Sequence, residues 1–522
     1  MVIPNSVTAI GNSAFQNCTA LSSVVIPDSV TSLGMEAFDE CTGLLSVVIG
    51  DGATKIHMDT FSYCTSLTSL EIGSGVTEIG LGAFMDCTSL ASVVIPNGVE
   101  AIFEMAFQGC ESLSSVEIPD SVTTIAAQAF AGCESLSTVE IPDSVVSLGD
   151  GVFSGCFSLS SVDIPEGITK IGDHFFHQCV SLNSVVIPDS VTSIGKKAFR
   201  GCENLTSVTL PDALKKIGDF AFIRCYGLKS LDIPENVATI GQGAFSGCAS
   251  LTSLVIPNGV TAIGDNTFEL CDSLTSIEIP DSVQSIGQGA FQGCINLTSI
   301  TIPDSVQSIG MAAFESCSGL TSIEIPNSVV KIEYGTFAGC SSLTSVKLAD
   351  FATHIGAYAF RGCKKLNSII VHKSVIVVGE GAFSGCDKLE FAEYNGCKYL
   401  GYSMNPYHLL VEAADRDNSS YEIQEDTVII AAVAFRDCTK LESIVIPENV
   451  KRICESAFEG CTGLKSVVLP KIMWKIDEKA FTSCTSLTDV YYADTEAEWN
   501  TIGFAFDNPD KVTIHYEYVP IA

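Results

Sequence analysis

A phenylalanine and a cysteine three residues apart recur every 23 residues along this chain. Phe15/Cys18, Phe38/Cys41 and Phe61/Cys64 open a series of seventeen copies that ends at Phe383/Cys386. Three more follow at Phe435/Cys438, Phe458/Cys461 and Phe481/Cys484. A leucine stands three residues after each of these cysteines, from Leu21 to Leu487. A fixed period of this length is the mark of a solenoid, in which one supersecondary unit stacks on copies of itself. The 522 residues therefore need not divide into several globular domains, because a solenoid keeps one continuous core however long it grows.

The residues of one coil show how such a unit folds. Leu21, Val24 and Ile26 place Val24 and Ile26 on one face with period two, which reads as a short strand. Pro27-Asp28 ends it, because proline withholds a ladder donor and aspartate favours a turn. Val30 and Leu33 add apolar contacts in a second extended piece, and Gly34 is expected to allow a reversal. Ala37, Phe38, Cys41 and Leu44 then fall at the spacing of a helical turn. Burying a large apolar side chain gives about 1.5–3 kcal/mol, whereas ordering backbone costs roughly 1–2 kcal/mol per residue. A lone coil cannot balance that cost, so stacked neighbours must supply the rest. Twenty coils at strand spacing would extend on the order of 100 Å.

The run LTSIEIPDSVQSIGQGAFQGC at residues 274–294 resembles the BspA-like, or Treponema pallidum-type, leucine-rich repeats, and the likeness covers nearly the whole chain. The resemblance implies an α/β solenoid: a right-handed leucine-rich-repeat superhelix with a parallel sheet on the concave face and short extended or helical turns on the convex side. It also implies an extracellular or cell-surface protein that attaches to host or neighbouring-cell proteins or to matrix.

Composition narrows the partners. With Lys+Arg 27 against Asp+Glu 61 the net charge is −34, which argues against nucleic acid and anionic membranes and favours basic proteins or cations. No apolar run is long enough for membrane insertion as a helix. Met1-Val2-Ile3-Pro4 enters the repeat in mid-phase with no basic or apolar leader, so the first coil is expected to lack an N-terminal cap. The expected organisation is a repeat block at 1–389, an irregular aromatic hairpin insert at 390–423, a second block at 424–487 and a C-terminal cap at 488–522. In that cap Trp499 and Tyr516 are expected to close the core, with Asp507 standing where a cysteine was due.

Of the 22 cysteines, all but Cys397 and Cys454 lie in the ladder. Successive ladder positions sit about 5 Å apart with parallel Cβ vectors, whereas a disulfide needs Cβ atoms about 3.8 Å apart and turned toward each other. The ladder therefore reads as buried reduced thiols acting as small core residues.

Three features could bind a ligand. One outward strand column is nearly all hydroxyl, from Ser23 and Ser46 to Ser368, and reads as a hydroxyl ladder suited to close stacking. The next outward column varies and is rich in carboxylates: Glu71, Glu117, Glu140, Asp163, Asp232, Glu278 and Glu324. Variation on a fixed frame is where specificity can be written, although a solvated face would look the same. The third feature is the insert, where Asn395-Gly396 signals a two-residue hairpin. Tyr394, Tyr399, Tyr402 and Tyr407 cluster there as candidate anchors. Acidic residues after the repeat prolines, such as Asp28 and Asp120, fit turn chemistry, with a divalent cation as the alternative reading.

The sequence offers no catalytic constellation. His174, His177 and Cys179 sit close together without a second cluster to complete a metal site, and Asp415, Asp417, Ser419 and Glu422 lack the glycine of an EF-hand loop. GxSxG, HExxH and P-loop patterns do not occur. The expectation is a non-enzymatic protein with no cofactor, acting in adhesion through its sheet face. The alternative is a structural spacer or stalk whose length is its function.

Overall fold

The computed structural model describes residues 1–504, 506–507 and 509–519. Two compact units are present, Met1–Ser282 and Val283–Ala522.

In the first unit the coils from Ser23 to Leu254 contribute strands at the LxxVxI segment, and paired strands run parallel with a register of one full repeat. Ser23–Ile26, Ser46–Ile49 and Ser69–Glu71 form one sheet, with Ser23 opposite Ser46 and Ser46 opposite Ser69. Shorter pairs continue the pattern, including Ser92–Val94 with Ser115–Glu117 and Thr138–Glu140 with Ser161–Asp163. A second parallel ladder runs through the two-residue strands from Lys55–Ile56 to Ser147–Leu148, and another from Lys170–Ile171 to Thr239–Ile240. The turn after Pro27 closes through the Val30 N–H, which donates to the Pro27 carbonyl at 3.0 Å. The glycine after the second strand fits a close approach between coils rather than a reversal, although His57, Phe103 and Ala126 stand at this position in other coils. A Cβ on Gly80 would lie 2.6 Å from the carbonyl oxygen of Ile56.

The helical turn expected at the Ala-Phe-x-x-Cys segment does not form, and the α/β description does not carry over to these coils. Among the described residues the one α-helix is Glu496–Ile502. The reason lies in the backbone. Glu36 and Glu40, two residues before and two after Phe38, have φ of 57° and 56°, in the left-handed region that an α-helix does not use. This alternation turns every second N–H out of the coil. The N–H groups of Glu36, Phe38 and Glu40 donate to the carbonyls of Met58, Thr60 and Ser62 in the next coil at 3.0, 2.8 and 2.9 Å. Hydrogen bonding that a helix would keep within the coil is spent between coils.

The phenylalanines stack behind this strip. Phe38 and Phe61 lie 5.2 Å apart with planes 3° from parallel. Ladder cysteines with a preceding coil lock the arrangement: the Cys64 Sγ–H donates to the Phe38 carbonyl at 3.3 Å, and Cys87 does the same to Phe61 at 3.2 Å. All 22 cysteines are free thiols. Burial raises the thiol of Cys41 to about 11 and that of Cys248 to about 12, so these groups keep the proton with which they donate.

The second unit repeats the design from Ser285–Ile286 to Val377–Val378. The Phe291 and Phe314 rings are 5.3 Å apart there. The repeat then gives way to an antiparallel meander, Ala392–Tyr394, Cys397–Tyr402 and Asn405–Ala413. Asn395 and Gly396 both have positive φ, 45° and 74°, as a two-residue hairpin turn of this type requires. The last meander strand joins the second ladder in parallel, with Leu409 opposite Ile429. Three coils follow, and the chain ends on the helix Glu496–Ile502 and the strand Thr513–His515, which pairs with Asp489–Tyr492.

Candidate functional site

The strand that carries Val24 and Ile26 inward must carry Val25 outward, and the same alternation recurs in coils such as those of Val116, Val139 and Ile323. The structure therefore sorts the outward residues into fixed columns. Glu71, Glu117, Glu140, Asp163, Asp232, Glu278 and Glu324 are all exposed on the strand face. The register brings some of them together. Glu140 pairs with Asp163 across adjacent strands, whereas Glu117 lies opposite Val94 and Glu71 opposite Val48. In the second unit Glu324 faces Lys347, and the two form an ion pair. The first unit thus carries an uncompensated run of carboxylates at Glu117, Glu140 and Asp163, bounded by Val94 (62% exposed) and Val186 (67% exposed). Carboxylates one strand apart repel one another. Exposed aliphatic side chains on either side give a partner something apolar to cover.

The hydroxyl ladder exists, but one residue earlier than the serine column. Thr68 Oγ1 donates to the Leu45 carbonyl at 3.2 Å, Ser114 Oγ to Ala91 at 3.1 Å and Thr206 Oγ1 to Asn183 at 3.1 Å. These side chains supplement the backbone where the strand has not yet begun. The serine after each Pro-Asp works similarly, as when Ser121 Oγ donates to the Val99 carbonyl at 2.7 Å. The Asp28 carboxylate accepts the Asp51 N–H of the following coil at 2.9 Å. That is turn chemistry extended across coils.

The four insert tyrosines separate into two groups. Tyr399 is fully buried, and its hydroxyl accepts the Gln424 N–H at 3.2 Å. It is a core residue and not a surface anchor. Tyr394, Tyr402 and Tyr407 are half-buried. Tyr407 packs edge-on against Tyr394 at 6.4 Å and against Tyr399 at 5.4 Å, so the hairpin is largely self-packed. Tyr421, which sequence reasoning did not single out, supplies the ring that meets Phe435 at 5.2 Å and starts the second Phe stack.

The histidine pair is structural in its contacts. His174 and His177 meet edge-on at 5.4 Å, and Ser154 Oγ hydrogen-bonds His177 Nδ1 at 3.2 Å. Burial, reinforced by Arg200, lowers His177 to about 4. Cys179 donates to the Phe153 carbonyl. The described residues include no group of three or more His, Cys, Asp or Glu arranged to hold a metal ion, and no helix among them is long and apolar enough to cross a membrane.

The pattern described as the BspA type leucine rich repeat region matches residues 1–113, 77–202, 169–294, 261–390 and 415–517. The chain belongs to the BspA-type leucine-rich repeat family. Among solved structures it is similar to a leucine-rich repeat protein from Bacteroides ovatus, with 24% identity over 95% of this chain and 92% of that one and a TM-score of 0.37. A leucine rich cell surface protein from Faecalibacterium prausnitzii is 25% identical over 96% of this chain and 89% of its own, with a TM-score of 0.27. The T. pallidum leucine rich repeat protein is 27% identical over 44% of this BspA-type chain and 78% of its own, with a TM-score of 0.26. Comparison with curated proteins gives no match. Leucine-rich repeat proteins commonly bind other proteins, and no catalytic family is matched.

Proposed function

We propose that this BspA-type protein is a recognition module that works outside the cell or at its surface, attaching to host or neighbouring-cell proteins or to matrix through its strand face. The observation that carries the reading is the strip Val94, Glu117, Glu140, Asp163 and Val186. It is a run of exposed carboxylates between exposed aliphatic side chains on a frame that otherwise scarcely varies, with Glu117 in register with Val94, Glu140 with Asp163, and the strands between these pairs in contact. Such a strip suits a partner with basic side chains flanked by apolar ones. The remaining column carboxylates, Asp232, Glu278 and Glu324, with half-buried Tyr394, Tyr402 and Tyr407, make up the rest of the candidate surface.

The test is saturable binding of the intact chain to arrays of matrix proteins, glycans and mucins at physiological salt. We expect at least one basic protein to bind, and the paired change Glu140→Lys with Asp163→Lys to weaken it about tenfold or more without lowering thermal stability. If no array component binds saturably, the reading fails. If excising two whole coils elsewhere abolishes the cellular phenotype while the charge swaps leave it intact, the stalk reading replaces it.

A further inference from the structure

The strip of turns around each phenylalanine has a direction. Its backbone alternates between left- and right-handed conformations, so every second N–H points toward the following coil. In the coil of Phe360, the N–H groups of Tyr358, Phe360 and Gly362 donate to Glu380, Ala382 and Ser384 at 2.8, 2.8 and 2.7 Å. The next three donors in the row belong to Gly381, Phe383 and Gly385, and they meet no acceptor among the described residues. Gly381 and Gly385 have φ of 58° and 73°, so the row keeps its conformation although the coil that should accept its bonds has been replaced by the meander. Phe383 stacks on Phe360 at 5.8 Å and also lines a cavity of about 760 Å³ together with Phe391, Lys398 and Arg416.

Among the described residues the same kind of end occurs once more, and there it is filled. Phe481 ends the second Phe stack. Phe506 packs against it at 5.7 Å and Phe504 at 6.1 Å. The Asp507 carboxylate accepts the Ser483 N–H at 3.3 Å and the Thr482 hydroxyl at 3.4 Å. Ser483 follows Phe481 by two residues, as Gly385 follows Phe383. The space left at this end is about 220 Å³, lined by Phe481, Ser483, Cys484, Thr485 and Leu487. These are the positional counterparts of Phe383, Gly385, Cys386, Asp387 and Leu389, which line the larger cavity. An aromatic ring followed by a carboxylate is therefore this chain's own solution to an open row of this type.

We propose that the cavity at the Phe383 end is a peptide-binding notch for an aromatic–aspartate segment of a partner polypeptide. The aromatic ring would cover Phe383, and the aspartate carboxylate would take the Gly385 N–H, as Asp507 takes that of Ser483. A carboxylate is a strong acceptor for a backbone N–H, and Arg416 adds a guanidinium to the lining. The rim carboxylates Asp387, Glu390 and Glu393 select for lysine or arginine on either side of the segment. Glu412 is already held by Lys398 at 2.8 Å. This notch is separate from the strand-face strip of the first unit.

The intact chain is titrated with a fluorescein-labelled peptide, Lys-Phe-Ala-Phe-Asp-Lys, whose central four residues copy positions 504–507. We expect a single class of saturable sites and, in hydrogen exchange, protection that rises at residues 381–385. Replacing the peptide aspartate by asparagine, its second phenylalanine by alanine, or Arg416→Glu in the protein should each weaken binding about tenfold. The proposal is overturned by absence of saturable binding, by equal affinity for the asparagine peptide, or by protection that rises at Ser483 instead of 381–385. It is equally overturned if acetate alone reproduces the protection, because the site would then recognise a carboxylate without the ring.

Discussion

The coil of Phe107 and the coil of Phe383 share one local design and differ in what faces them. Phe107 has a stacked ring on both sides, Phe84 at 5.3 Å and Phe130 at 5.5 Å, and its N–H donates to the Ala129 carbonyl at 2.8 Å. Phe107, Cys110 and Leu113 are completely buried, whereas Phe383, Cys386 and Leu389 retain 6–7% exposure. The coil at 379–389 keeps its conformation although no stacked ring and no row of carbonyls meets its phenylalanine strip on the far side, where Arg436 reaches Glu380 at 2.7 Å. Local sequence therefore sets the shape of a coil, and the neighbours set how tightly it is held. This is the behaviour of a quasi-one-dimensional array, whose stability is a sum of coil and interface contributions.

The largest expected effect separates these two positions directly. Phe107→Ala leaves a void between two rings and should cost about 3–5 kcal/mol, whereas Phe383→Ala, open on one side, should cost about half as much. Urea unfolding followed by hydrogen exchange within each unit measures both. Equal costs would break the comparison. A pH titration probes an interior defect in the same way. The His177 ring is held neutral with its pKa lowered from 6.5 to about 4, by burial first and by Arg200 next. Between those values the unfolded chain binds a proton that the folded chain refuses, so stability should fall as pH drops from 6.5 toward 4 and level off below. His177→Gln should flatten that slope, and an unchanged slope would assign it to other groups.

At the filled end, Asp507→Asn removes the charged acceptor of the Ser483 N–H and should cost about 1 kcal/mol. The change should appear as faster amide exchange at 482–484, with the first unit untouched. The smallest effect is chemical. Burial raises the thiol of Cys386 to about 12 and that of Cys110 still further. Iodoacetamide at pH 8 should therefore label exposed Cys18 and spare both. Mass mapping that finds Cys110 labelled as fast as Cys18 would contradict the closed interior.

The repeat made the parallel ladders, the inward Val24/Ile26 alternation and the buried thiols legible, because each follows from period and residue size. The Asn395-Gly396 turn was legible for the same kind of reason, since few dipeptides accept two positive φ values. The Phe38 segment misled, because spacings of one, three and three also suit a strip of alternating turns. The left-handed residues that decide between them include Glu36, Met105 and Lys197, which carry no turn signature of their own. Tyr399 read as an anchor because an aromatic in an insert looks the same whether it points in or out. Asp507 was noticed as a missing cysteine, but its role needed the Ser483 N–H beside it. The signal that could have found it is Phe506-Asp507 falling at the end of the last coil.

Each kind of side-chain bond that ties one coil to the next spans its own fixed offset. Ser121 reaches back 22 residues to Val99, Thr123 reaches 23 to Glu100, and Cys133 reaches 26 to Phe107. Every joint in the regular blocks is thus interchangeable with every other. A recombination event that drops or duplicates one period rejoins matching half-bonds and leaves no scar in the core. Natural variation within such a gene can therefore change the number of coils freely, while the insert and the Phe506-Asp507 plug, which have no duplicates to recombine with, stay fixed as the landmarks of the molecule.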